Sequence, residues 1–192
     1  MKRRGFLQKM FLGASAAAVL PAEAADTGAN ITAEIEDLLR QTEAAWDSQD
    51  TVKLRDLWDT DDAEPFYLAA EQEDWFVGWD AINAYLAPPP GSPPVTEAIR
   101  VRYYNLHARL LAPDLAVGAF WIRTDMKLVW QAKPFGSDAR VSAIFRKKPE
   151  GWRYVSYMEG FQSPNLYMQK LYEKNISPEY EEFYKENKRK ES

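Results

Sequence analysis

Between residues 98 and 159 the chain runs through four consecutive segments, 98 to 111, 116 to 129, 138 to 147 and 151 to 159, in which side-chain character alternates with a period of two. The connections Ala112-Pro113-Asp114, Pro134-Phe135-Gly136 and Pro149-Glu150 punctuate them. Parallel neighbours need crossovers of a dozen residues or more, so connections this short dictate an antiparallel meander. A doubly wound sheet is thereby excluded, and one face of the meander has to be covered by something else. Upstream, Ile31, Ile35, Leu38, Leu39, Thr42 and Trp46 form the stripe of an amphipathic helix. Asp50 reads as the cap of a short second helix over 51 to 58, and a third over 80 to 86 ends at Pro88-Pro89-Pro90-Gly91. Short strands are expected at 66 to 71 and 75 to 78. Asp59-Thr60-Asp61-Asp62 lacks the glycine and the spaced glutamate of a calcium loop and reads as a solvated turn. Two further helices, 164 to 174 and 178 to 187, follow the meander; Ser177-Pro178 would open the second, and Tyr180, Phe183 and Tyr184 give it an aromatic face. The fold class is α+β: a cone-shaped, curved antiparallel sheet capped by N-terminal helices, with a C-terminal helical extension.

Composition narrows the chemistry. The 192 residues contain no cysteine and a single histidine, His107, so no thiolate chemistry and no metal site built on two histidines is available. No metal or other cofactor is expected. The formal charge is −5 and no basic stripe suggests nucleic acid. Aromatic residues make up 14% of the chain, more than a small core requires, which suits a hydrophobic aromatic small molecule as ligand. No Gly-x-Ser-x-Gly elbow or glycine-rich phosphate loop occurs, which argues against covalent and nucleotide chemistry.

The first 24 residues read as an address. Arg3-Arg4 precedes Phe6-Leu7, then a mildly apolar stretch from 10 to 20, then the small-x-small pattern Ala22-Glu23-Ala24. The segment resembles a twin-arginine signal peptide, and its apolar stretch is too short for a permanent span. Cleavage near Ala25 would remove four basic residues and Glu23, leaving 20 basic against 28 acidic side chains and a net charge of −8. The expected location is the periplasm or outside the cell, with no membrane attachment after signal removal. The chain then divides into a signal over 1–24, one domain over 25–163, and the extension over 164–192.

Strand alternation nominates the site. Tyr103, Asn105, His107 and Arg109 share one parity on the first long strand, opposite Leu106, Ala108 and Leu110; Trp121, Arg123 and Asp125 share one on the next. A β-bulge would exchange the faces beyond it. His107 is the one side chain whose ordinary pKa is near neutral, able to act as general acid or base or to sit as a half-exposed strand residue. Tyr67 can donate to a developing oxyanion or wedge the sheet against its helices. Glu159, beside Tyr157, is the best placed carboxylate for proton transfer, although a strand-end pairing with Arg153 or Arg140 is equally available. Arg123 or Arg140 could steady an oxyanion while Asp125 assists. Trp75, Tyr85, Trp121 and Tyr157 would contact a flat ligand, with Trp79 and Trp152 as further candidates; Trp46, Trp58 and Trp152 occupy positions that suit packing in the core. Convergence of three or more of Tyr67, Tyr103, His107, Asp125 and Glu159 in one pocket would favour an enzyme over a binding protein.

The order of elements, the Trp46-to-Trp58 helical pair, the step Gly78-Trp79-Asp80-Ala81-Ile82 and the closing Gly151-Trp152-Arg153-Tyr154-Val155 strand resemble the nuclear-transport-factor-2-like superfamily, with its SnoaL-like and ketosteroid-isomerase-like branches. The resemblance covers roughly residues 31 to 160 and implies an apolar pocket between sheet and helices and a homodimer formed through the sheet. The segment Tyr157-Met158-Glu159-Gly160-Phe161-Gln162-Ser163-Pro164 and the helices after it are similar to the branch of cofactor-independent diarylpropane lyases, which release formaldehyde from lignin-derived dimers. The resulting expectation is an exported, cofactor-independent lyase or isomerase acting on an aromatic or polycyclic small molecule. The rival is a periplasmic protein that holds a hydrophobic ligand or a partner without catalysis.

Overall fold

A computed structural model of the protein describes residues 22–89 and 91–188. Most of the expected export signal therefore lies outside the described residues. Helices α1 (Ala22–Asp47) and α2 (Val52–Arg55) lead to the short strands β1 (Phe66–Leu68) and β2 (Phe76–Val77) and to α3 (Gly78–Leu86). The meander follows as β3 (Thr96–Ala112), β4 (Leu115–Leu128), β5 (Phe135–Lys148) and β6 (Gly151–Phe161), and the chain closes with α4 (Pro164–Lys174) and α5 (Tyr180–Asn187). One six-stranded sheet has the order β2-β1-β6-β5-β4-β3. All neighbours are antiparallel except β1, which runs parallel to β6. This is the α+β cone, with a curved, unclosed sheet.

The apolar stripe of α1 lies across the concave face. Ile31, Ile35, Leu38 and Leu39 are buried there against Ala116, Phe120, Val141, Ala143, Phe145, Trp152 and Tyr154. At Gly118 a Cβ would stand 2.9 Å from the Phe145 ring and 3.4 Å from Leu106, so glycine makes room for these two side chains on the sheet. The turn after α1 is fastened to the sheet edge by Gln49, which sits at φ 59°. Its amide donates to the Ile99 carbonyl (2.7 Å) and accepts from the Ile99 N–H (2.9 Å), so one side chain stands in for a missing edge strand.

Two features differ from expectation. The β3–β4 register slips between Tyr104, opposite Trp121, and His107, opposite Ala119; three steps on β3 answer two on β4, and Asn105 takes up the excess at φ 55°. Parity beyond Asn105 is therefore inverted, and Tyr103 and His107 lie on opposite faces. Asp59 is not solvated: it is 1% exposed, its N–H donates to the Tyr154 carbonyl, and its carboxylate meets Arg146 at 2.7 Å and Lys148 at 2.9 Å. Smaller differences are at the ends of elements. The second helix is a single turn, β1 stops at Leu68, and α5 starts at Tyr180 after a turn in which the Tyr180 N–H bonds Ser177 O.

Candidate active site

Between the sheet and its helices lies a cavity that draws on most of the fold. Thr42 and Trp46 come from α1, Leu54 from α2, Trp58 from the turn after it, and Leu86 from α3. Tyr67 of β1, Tyr103 of β3, and Tyr154, Tyr157 and Glu159 of β6 complete the wall. The recess measures about 370 Å³, including space open to solvent, while the free volume at its centre is about 30 Å³, the space of one water.

The β1–β6 register explains the central cluster. Tyr67 pairs with Tyr157 in a parallel ladder, so both rings point inward with centroids 5.6 Å apart. A second register slip, between Ile144 and Phe145 against β6, lets Tyr154 and Tyr157 face the same side although three positions apart; their centroids are 5.6 Å apart. Tyr103 packs edge-on to Phe120 at 5.4 Å. Tyr154 exchanges a 3.0 Å hydrogen bond with Thr42 Oγ1. The Tyr157 hydroxyl is buried within reach of Glu159 and Tyr103, both of whose pKa values it lowers as a hydrogen-bonding neighbour, but it makes no hydrogen bond of good geometry among the described residues. A buried hydroxyl without a well-formed hydrogen bond forfeits part of the about 1–3 kcal/mol at stake in its desolvation, and a polar ligand atom would recover that part.

Glu159 is the one carboxylate in the wall. Burial among the tyrosines pushes its pKa up to about 7, and the negative charge of Glu71 adds to the shift. The Ala70 N–H, which donates to Glu159 Oε2 at 3.3 Å, and, more weakly, the neighbouring Tyr157 hydroxyl oppose it. Burial also raises the pKa of Tyr67, Tyr103 and Tyr157 well above the ordinary phenol value, so these hydroxyls stay protonated as donors. Tyr85 borders the cluster, 5.4 Å from Tyr67 and stacked on Phe76 at 4.9 Å. Its hydroxyl donates to Glu71 Oε1 at 2.5 Å on the rim.

Of the residues nominated from sequence, Tyr67, Tyr103, Tyr157 and Glu159 line this cavity, and Tyr85 adjoins it. The others do not reach it. The bulge turns His107 outward to an exposed position. Trp121 stacks on Tyr104 on the convex face at 6.2 Å. Arg123 is engaged there by Asp125 and Asp138, and Arg140 donates to the Phe161 carbonyl. Trp75 is exposed in the β1–β2 loop. Trp46 and Trp58, read from sequence as core, are cavity walls as well. Trp79 donates Nε1–H to the Asp62 carbonyl, and Trp152 donates to Glu34, both away from the cavity.

No protein-family model and no curated protein matches the chain. Solved structures match its fold. A nuclear transport factor 2-like superfamily protein from Salmonella enterica superposes with a TM-score of 0.58 at 15% identity, covering 70% of this chain and 93% of its own. A scytalone dehydratase candidate from Novosphingobium aromaticivorans gives 0.60 at 13% identity, over 72% and 89%. The hexachlorocyclohexane dehydrochlorinase LinA-type3 from Novosphingobium barchaimii gives 0.53 at 17%, over 70% and 88%. The chain therefore has the nuclear-transport-factor-2-like fold.

Proposed function

We propose that the protein is a cofactor-independent enzyme that performs acid–base lyase or isomerase chemistry on an aromatic or polycyclic small molecule, with Glu159 as the proton-transfer group. The observation that carries this reading is a carboxyl group poised near pH 7 inside an aromatic cavity, beside the Tyr157 hydroxyl, which makes no hydrogen bond of good geometry among the described residues. As carboxylate, Glu159 takes a proton from the substrate. Tyr157, Tyr103 and Tyr67 donate to the oxygen on which charge develops, the task that Arg123 and Arg140 are too distant to perform. Proteins of this fold that are described as a dehydratase and a dehydrochlorinase support elimination chemistry in a cone of this kind.

The narrowest version is a lyase for a diaryl compound that carries a hydroxymethyl group next to a benzylic alcohol. Glu159 removes the hydroxymethyl O–H proton, the C–O bond becomes the carbonyl of formaldehyde, and the adjoining C–C bond breaks. The released electron pair forms a C=C bond, and the benzylic hydroxyl leaves as water with a proton from a tyrosine. Glu159 then returns its proton to that tyrosine, so no oxidant or reductant is consumed. Because the free volume is that of one water, a two-ring substrate enters only if side chains of the wall move apart. The same proposal places the protein in the periplasm or outside the cell after twin-arginine export, on the strength of Arg3-Arg4 and Ala22-Glu23-Ala24.

The test is incubation of purified protein, without cofactor, with hydroxymethyl diaryl compounds and polycyclic ketones, read by mass spectrometry. A product that Glu159→Gln forms about 10²–10⁴-fold more slowly supports the reading. Retention of an aromatic compound without turnover would select the binding protein instead.

A further inference from the structure

Where β6 ends and α4 begins, a cleft lies between that helix and the first residues of β5. It measures about 1170 Å³ with the space open to solvent included, and about 500 Å³ of it is free volume, against about 30 Å³ at the centre of the aromatic cavity. Small-molecule sites commonly occupy about 300–1,000 Å³. The cleft can take a whole ligand as it stands, whereas the cavity must first open. Pro164, Met168 and Leu171 recur at helical spacing along one side of α4, and Phe161 at the end of β6 joins them in the wall. Phe161, Met168 and Leu171 stay 47%, 43% and 43% exposed. A flat ring suits this surface, since the Phe161 ring and the Met168 thioether both favour aromatic neighbours.

The same cleft has a charged edge. Lys170 and Lys174 line it one helical turn apart, displaced to one side of the apolar strip. Neither forms an ion pair among the described residues; Lys170 donates to Gln162 Oε1 at 3.2 Å, which leaves it two further N–H donors. The negative groups nearby are already committed. Asp138 in the wall is held by Arg123 at 3.2 Å and by the Tyr104 hydroxyl at 3.2 Å. Glu173 lies on the side of α4 opposite Pro164, where it accepts from Gln169 at 2.8 Å. On a chain whose net charge is −5, the cleft thus sets two uncommitted cations beside an apolar strip. Pro164 and Lys174 stand about 15 Å apart along the helix axis, room for two linked rings and an anionic head.

We propose that this cleft is a second ligand site, separate from the aromatic cavity, which takes a two-ring aryl carboxylate with its rings against Phe161, Met168 and Leu171 and its carboxylate between Lys170 and Lys174. The apolar strip supplies the burial. The lysine pair selects the acid over its neutral analogues, because each ammonium gains a charge-assisted hydrogen bond that a neutral head group cannot match.

A methyl signal inside the cleft tests it. The purified protein, labelled with 13C at its methionine methyl groups, is titrated with biphenyl-4-carboxylate and, for comparison, with the neutral biphenyl-4-carboxamide. The Met168 signal, assigned by its loss in Met168→Leu, should shift saturably with the acid and need about tenfold more of the amide. Lys170→Gln/Lys174→Gln should weaken the acid about tenfold and leave the amide unchanged, while Leu171→Gln should weaken both. A Met168 signal that stays in place up to about 1 mM acid, as it would if the compound sat in the cavity, overturns the proposal. So does an equal response to acid and amide, or a response to the acid that ignores the loss of both lysines.

Discussion

Glu159 concentrates the proposed chemistry in one ionisation, so its titration should be visible in the rate. A base works only when unprotonated; with a pKa raised to about 7, kcat/KM should climb with pH through that value and level off above it. A profile that falls across the same interval would make Glu159 the acid and reverse the order of proton transfers. Tyr157 offers a second separation. Its hydroxyl makes no hydrogen bond of good geometry among the described residues, so Tyr157→Phe should leave the thermal midpoint nearly unchanged. Ligand affinity or turnover should nonetheless fall about 2- to 13-fold, the equivalent of one neutral hydrogen bond. Loss of stability in that variant, measured by calorimetry, would mean the hydroxyl is already satisfied.

What distinguishes the strands that build the cavity is two register slips, and the slip at Asn105 divides the legible part of the molecule from the illegible part. The period-two runs located β3 to β6 to within three residues at each end, and the breaker Pro164 located the start of α4. Tyr67, Tyr103, Tyr157 and Glu159 could be nominated because none of them lies beyond a slip from the residue that fixes its face. His107 could not, since a bulge leaves alternating chemistry intact while exchanging faces; the one hint was asparagine, a residue that tolerates positive φ, inside a strand. The roles of Trp46 and Trp58 were equally hidden, because lining a cavity and filling a core demand the same side chain. The bulge also makes a stability prediction. Asn105→Gly should be nearly neutral, whereas Asn105→Val, β-branched at φ 55°, should cost about 1–2 kcal/mol in chemical denaturation and favour slippage of β3. An equal response to the two substitutions would show that the bulge is not anchored at this position.

Burial acts in opposite directions on two carboxyl groups at different places in the cone, and their sum shapes stability across pH. Asp59 is nine-tenths buried or more, and desolvation alone would raise its pKa; the hydrogen bonds from Lys148 and Arg146 outweigh that and hold it below the ordinary carboxylate value of 3.8. Its contribution is present above that value and is lost as pH falls through the native pKa, because the unfolded chain then binds the proton first. Glu159 has the reverse sign. Between its ordinary value of 4.5 and about 7 the unfolded chain has released a proton that the native protein retains, so stability declines as pH rises through this interval, by up to about 3 kcal/mol. Urea titrations at a series of pH values should therefore find the greatest stability near pH 4.5, falling towards pH 7 and again in stronger acid. Glu159→Gln should remove the decline on the neutral side only, making that variant the more stable protein at pH 8. Asp59→Asn should lower stability at neutral pH by about 1–3 kcal/mol, since Arg146 and Lys148 lose a buried partner while keeping some access to water, and it should flatten the acid limb. If Glu159→Gln left the neutral limb unchanged, the carboxyl group would be hydrated in the native protein, and the proposed base would lose the perturbed pKa on which its assignment depends.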